Sequence, residues 1–142
     1  MLLGTHTPRL DEKGRLVLPA RFRDDLAAGV VLTKGQDRSV VVWPQAEFTA
    51  YAGRLSDASR SDARVRAFLR VLFSSACDEI PDRQGRVSVP PALRTYAGLD
   101  REVVVVGNGT TCEIWAPEAW SEYLGAQETA YSDLSEEVIP GM

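Results

Sequence analysis

Two cysteines and a single histidine are all the thiols and imidazoles that this chain of 142 residues offers, and that scarcity narrows its function early. Cys77 and Cys112 stand alone, with no CxxC and no neighbouring histidine, so neither a zinc site nor a disulfide framework is expected. Both read as small buried hydrophobes in a reducing compartment. His6 lies beside no nucleophile pattern, and there is no GxSxG, HExxH or P-loop, so no catalytic residue, metal site or cofactor is assigned. Asp11 and Glu12, adjacent in a turn, read as solvated or bracing groups rather than as a general acid and base. No apolar run approaches the roughly 18–20 residues that span a bilayer. Met1-Leu2-Leu3-Gly4 lacks the basic and long apolar regions of an export signal, which makes the cytoplasm the expected location and excludes a membrane partner.

A basic excess is missing too. The net charge of −4 argues against nucleic acid until it is divided along the chain. Residues 1–43 carry seven Lys/Arg against five Asp/Glu, residues 44–81 five of each, and residues 82–142 four against ten. A basic first half with an acidic second half is a hint of an anion partner for the former, and a weak one, since surface charge usually serves solvation.

What the chain does have is a repeat. Asp11-Glu12-Lys13-Gly14-Arg15-Leu16-Val17-Leu18-Pro19 returns seventy-one positions later as Asp82-Arg83-Gln84-Gly85-Arg86-Val87-Ser88-Val89-Pro90, and each copy runs on to an arginine, Arg23 or Arg94. Gly35, Trp43, Phe48 and Tyr51 match Gly107, Trp115, Trp120 and Tyr123 at an offset of seventy-two, which fits one extra loop residue in the second copy. The chain is a tandem duplication, and this governs the fold.

Each copy reads as β–turn–β–short helix–β–turn–β. In the first, Thr5–Leu10 is a strand candidate, Gly14 gives freedom for a tight reversal, and Arg15–Leu18 returns. Pro19 suits the start of a short helix over Ala20–Ala27, and Val30–Thr33 with Val40–Trp43 forms a hairpin around Gly35. In the second, Ser74–Ile80 and Arg86–Val89 are extended, Pro91–Ala97 is helical, and Val103–Val106 pairs with Cys112–Trp115. Helices starting at Pro44 and Pro117 follow the hairpins. Between the copies, Val65, Phe68, Leu69, Leu72 and Phe73 fall on one helical stripe, opposite Arg60, Arg64, Arg66 and Arg70. Strands this short bury little alone, so two copies are expected to complete one barrel. The fold class is α+β, mainly β. The expected division is a first repeat with its trailing helix over 1–53, a helical linker over 54–73, a second repeat with its trailing helix over 74–125, and an acidic tail over 126–142 that is loosely ordered from Ser132.

The two Asp-x-x-Gly-Arg…Pro motifs resemble the AbrB-type swapped-hairpin DNA-binding unit, and their tandem arrangement with a helical linker resembles the MraZ family over about residues 1–130. The resemblance implies a swapped-hairpin barrel and a cytoplasmic, nucleoid-associated regulator of transcription. It further implies binding to short G-rich direct repeats of double-stranded DNA upstream of the division and cell-wall gene cluster, including the regulator's own promoter, most simply as a repressor. It also implies a homo-oligomeric ring that sets several first-repeat turns side by side, and no small-molecule substrate.

The residues support this on their own chemistry. A turn displaying Lys13 and Arg15 around Gly14 can approach a groove closely, and arginine reads guanine O6 and N7 bidentately. Arg9, Arg21 and Arg23 are near in sequence and suit phosphate neutralisation. Asp11 and Asp82 are expected to brace their turns by accepting turn amides or pairing with Arg15 and Arg86. Gly85 and Arg86 are assigned the same structural role, because Gln84 replaces Lys13 and Ala92 replaces Arg21; Arg83 keeps open a DNA role for the second turn. The competing readings are an antitoxin-like module, which usually needs one motif and a toxin-binding tail, and a protein-binding scaffold using the helices and the acidic tail.

Overall fold

The structure is a computed structural model that describes all 142 residues. Its elements follow the repeat. The first copy supplies β1 (Thr5–His6), β2 (Arg15–Val17), a 3-10 turn (Ala20–Phe22) running into α1 (Arg23–Leu26), β3 (Val30–Lys34), β4 (Val40–Pro44) and α2 (Gln45–Leu55). After α3 (Ala63–Ser75), the second copy supplies β5 (Cys77–Glu79), β6 (Arg86–Ser88), α4 (Pro91–Ala97), β7 (Val104–Gly107), β8 (Cys112–Trp115) and α5 (Pro117–Ser132).

The repeats interleave. A six-stranded antiparallel sheet runs in the order β1-β7-β8-β4-β3-β5, and β2 pairs with β6 in a separate two-stranded ribbon. Each leading strand crosses to the other copy: β1 pairs with β7, and β5 pairs with β3. Only the β3–β4 and β7–β8 hairpins pair within a copy, and β4 joins them by pairing with β8. This is the tandem swapped-hairpin α+β fold expected from the sequence.

The core lies between ribbon and sheet. Leu16 and Val87 face each other in the ribbon and are fully buried in one cluster with Leu18 and Val89, which follow the ribbon strands, and with Phe22, Leu26 and Leu93 from the short helical segments. Val30, Leu32, Val40, Val42, Val105 and Ile114 come from the sheet. Because strand side chains alternate, the same register turns Arg15, Val17, Arg86 and Ser88 to the outer face. Strand β3 is buried on both faces, which is why Val30-Val31-Leu32-Thr33 reads as a continuous run rather than an alternation. Val30 and Leu32 enter the core, while α2 and α3 pack against the strand.

The aromatic residues of each copy anchor its trailing helix. Trp43 stacks on Tyr51 at 4.7 Å and meets Phe48 edge-on at 5.5 Å, while its Nε1 donates to Thr33 Oγ1 at 3.0 Å. Trp115 packs against Trp120 at 5.3 Å and Tyr123 at 5.1 Å, and its Nε1 donates to Glu113 Oε1 at 3.2 Å.

Four expectations change. The first strand keeps only Thr5–His6, with Arg9 and Leu10 in isolated bridges. The helix expected over Ala20–Ala27 divides into a 3-10 turn and a four-residue α segment. Helix α3 extends to Ser75, beyond the linker boundary at 73, and buries only Leu69 and Leu72 of its expected stripe; Phe68 stays 41% exposed and Phe73 38%. Packing on the β5–β3 end of the sheet gives this helix a narrow contact, so the flanks of the stripe meet solvent. Helix α5 runs on to Ser132, past the tail boundary at 125, and its last turns stand free of the sheet with Tyr131 exposed. No helix is long and apolar enough to cross a membrane.

Candidate nucleic-acid interface

The two Asp-x-x-Gly-Arg turns are built alike. Gly14 and Gly85 adopt φ +75° and +74°, a region that side chains disfavour, and each donates its amide to the carbonyl of the aspartate three residues back at 2.9 Å. Asp11 Oδ1 accepts from the amides of Lys13 and Arg15, both at 2.9 Å. Asp82 Oδ1 accepts from those of Gln84 and Arg86 at the same distance. Each Oδ2 takes the arginine Nε–H at 2.7 Å, from Arg15 and from Arg86. The Arg15 and Arg86 amides hold the carboxyls of Asp11 and Asp82 below the ordinary aspartate range, with the arginine side chains adding to the effect.

This geometry orders Arg15 and Arg86 alike. Asp11 and Asp82 each engage the arginine Nε and order the side chain, whose terminal amino groups make no hydrogen bond or ion pair within the chain. A guanidinium held at its inner edge and open at its outer edge presents the paired donors that match guanine or a phosphate. Lys13 is exposed at the tip beside Gly14, with its ammonium unpaired.

The other predicted cations are placed differently. Arg9 pairs with Glu102 of the second copy at 3.6 Å, with both side chains well exposed. Arg21 is exposed in the 3-10 turn. Arg23 is not at the first turn: its Nε donates to Leu18 O at 3.3 Å and lies 2.8 Å from where a Cβ on Gly85 would stand. The residue against Gly14 is Arg94, whose Nη1 donates to Val89 O at 3.0 Å and would overlap any Cβ added at Gly14. A cleft of about 450 Å³ beside the first turn is lined by Asp11, Glu12 and Gly14 together with Arg94, Asp100 and Arg101 of the second copy. Sequence reasoning missed Arg94 and Arg101. The offset that matches Arg23 with Arg94 was legible, but not the crossing that puts each against the opposite turn.

One asymmetry separates the turns. Ser88, on the outer face next to Arg86, donates its amide to both carboxylate oxygens of Glu79, at 2.9 and 3.1 Å. Pro8 occupies the position of Glu79 in the first copy, so the first copy has no counterpart of this carboxylate; Ser88 itself stands opposite Arg15 in the ribbon.

Comparison with known proteins places this double-turn architecture. The family model described as "MraZ protein, putative antitoxin-like" matches twice, over residues 1–71 and 72–139. The chain belongs to the MraZ family. It is 52% identical over 141 residues to a protein named transcriptional regulator MraZ from Paenarthrobacter aurescens strain TC1, an alignment covering 99% of each chain. The similarly named proteins of Leifsonia xyli subsp. xyli and Frankia alni are 53% and 54% identical over 142 residues, covering all of this chain and 99% of theirs. The two MraZ matches meet inside α3, whereas the strands they contain pair across that boundary. The MraZ repeat is thus a unit of sequence, and its two copies make one unit of folding.

Proposed function

We propose that this chain is a sequence-specific DNA-binding transcription regulator whose first-repeat turn reads the base edges. The observation carrying the proposal is the Asp11–Arg15 pair, whose 2.7 Å bond orders the guanidinium as the Asp82–Arg86 bond does in the second turn, together with Lys13 beside it where the second turn has Gln84. Arg15 is suited to guanine O6 and N7, and Lys13 to the same atoms or an adjacent phosphate. Gly14 is buried beneath Arg94 and makes room for that guanidinium rather than for DNA, so Lys13 and Arg15 are the groups the turn offers to a groove, and Arg9 and Arg21 supply flanking positive charge. The relatives' designation as transcriptional regulators supports the same reading.

The resemblance to the MraZ family carries the finer statement. The sites are short G-rich direct repeats ahead of the division and cell-wall gene cluster, including the chain's own promoter, and binding represses transcription on the nucleoid. Protomers form a ring in which successive first-repeat turns meet successive DNA repeats. The basic first half and acidic second half complement one another head to tail, the arrangement from which rings close.

Fluorescence anisotropy with promoter DNA and scrambled DNA tests the proposal. Arg15→Ala is expected to lower the preference for promoter DNA by roughly 10- to 100-fold, the scale of one lost bidentate base contact. Full preference retained by an Arg15→Ala protein that still assembles like wild type overturns it.

A further inference from the structure

We infer that Arg94, a residue of the second repeat, is a positioning residue for the DNA-reading turn of the first, and that Arg23 serves the second turn in the same way. The inference rests on the reading of the first turn given above and assigns that turn a support from outside its own repeat.

The argument starts from backbone geometry. Asp11 holds the turn from within by hydrogen bonds, but glycine at positive φ contributes no side-chain packing of its own. At the first turn the missing volume is filled by the Arg94 guanidinium, which lies where a Gly14 side chain would be. That guanidinium is itself fixed. Its Nη1 donates to Val89 O at 3.0 Å, and the Val89 amide donates to Gly14 O at 2.9 Å. Gly14, Val89 and Arg94 therefore form a closed brace across the β2–β6 ribbon, one residue from Arg15.

The mirror brace uses Gly85, Leu18 and Arg23. Arg23 Nε donates to Leu18 O at 3.3 Å, and the Leu18 amide donates to Gly85 O at 2.8 Å. Each turn thus rests on an arginine contributed by the other copy. Arg94 is half-buried, with Nη1 the guanidinium atom nearest to Gly14. Its effect on DNA is exerted through the set of Lys13 and Arg15. Shape matters here more than charge, because an ammonium has no flat fork to lie under the glycine.

The crossing makes an experiment with opposite expectations for two similar residues. Wild type, Arg15→Ala, Arg94→Gln, Arg94→Lys and Arg23→Gln are compared for binding to promoter and scrambled DNA across a salt series, with melting temperature recorded. Arg94→Gln is expected to lower the promoter preference by roughly tenfold, the low end of one base contact, with the salt slope unchanged. Arg94→Lys should lose as much, although it keeps the charge. Arg23→Gln should keep the preference of wild type. Amide NMR spectra of the free proteins provide a readout without DNA. Arg94→Gln should shift the Lys13, Gly14 and Arg15 signals and spare Gln84, Gly85 and Arg86, and Arg23→Gln the reverse, so the mirror variant tests the crossing even if one protein fails to fold.

Rescue by Arg94→Lys, or a salt slope lowered by about one, would identify Arg94 as a phosphate contact and overturn the inference. It is equally overturned if the Arg94 variants keep full promoter preference while Arg15→Ala loses it, and the function then stands. If Arg15→Ala also keeps its preference, the reading of the first turn fails instead.

Discussion

Leu16 faces Val87 across the two-stranded ribbon, seventy-one residues away in the chain, and both are fully buried. Each is the inward residue of its own motif, so the innermost contact of the ribbon is a contact between the two copies. Leu16→Ala is expected to destabilise the protein by about 2–5 kcal/mol, the range for truncating a buried leucine. Because the copies share one core, urea unfolding followed by Trp43 and Trp115 fluorescence should remain a single transition shifted to lower urea. Separate transitions for the two repeats would contradict a shared core.

The turn aspartates give a signed pH dependence. Asp11 and Asp82 have folded-state pKa values below the ordinary 3.8, chiefly through the Arg15 and Arg86 amides. Their contribution is therefore present above about pH 3.8 and lost as pH falls through the lower folded values. Melting temperature should be insensitive to these groups between pH 5 and 7 and should decline below pH 4. The double variant Asp11→Asn, Asp82→Asn should start lower at neutral pH and show a shallower acid decline. An unchanged decline would place the acid sensitivity elsewhere.

Glu113 works in the opposite direction. Burial raises its carboxyl pKa above the ordinary 4.5, and the charge of Asp37 adds to this against the opposing hydrogen bond from Trp115. A raised acid binds protons more tightly in the folded state, so stability falls as pH climbs through the window above 4.5. Glu113→Gln keeps an acceptor for Trp115 Nε1 and removes the charge. It should raise the melting temperature at pH 7 and leave it nearly unchanged at pH 4. A lower value at pH 7 would show that the carboxylate is stabilising.

The cysteines should separate in reactivity. Cys112 is buried among core residues and its thiol is pushed up to about 12, while Cys77 on β5 is only half-buried. Iodoacetamide at pH 8 is expected to alkylate Cys77 in the folded protein and to reach Cys112 only in denaturant, as peptide mass spectrometry can read. Labelling of Cys112 at the rate of Cys77 would mean that the core opens locally.

Much of this was legible in the linear chain because its signals are local. The duplication shows as a constant offset between two matching stretches. The glycine turns, the β3–β4 and β7–β8 hairpins and the tryptophan-anchored helices each depend on residues near one another in the chain, where steric limits and side-chain periodicity act. The Asp–Arg turns belong with them, since five consecutive residues contain both partners. Helix α3 marks where local signals run out. Its apolar stripe is plain in the sequence, yet Phe68 and Phe73 remain substantially exposed because the breadth of its contact depends on where the sheet stops.

The chain order therefore specified two similar units of short strands with a charged glycine turn in each. Which strand completes which sheet, and which arginine supports which turn, came from the assembled fold. Arg23 lies eight residues from Arg15 in sequence, but the ribbon carries it to Gly85 and brings Arg94 to Gly14. Such pairings are set by hydrogen-bond register between distant strands and by the need to bury both copies' apolar faces in one core. Neither constraint is written in the spacing of neighbouring residues.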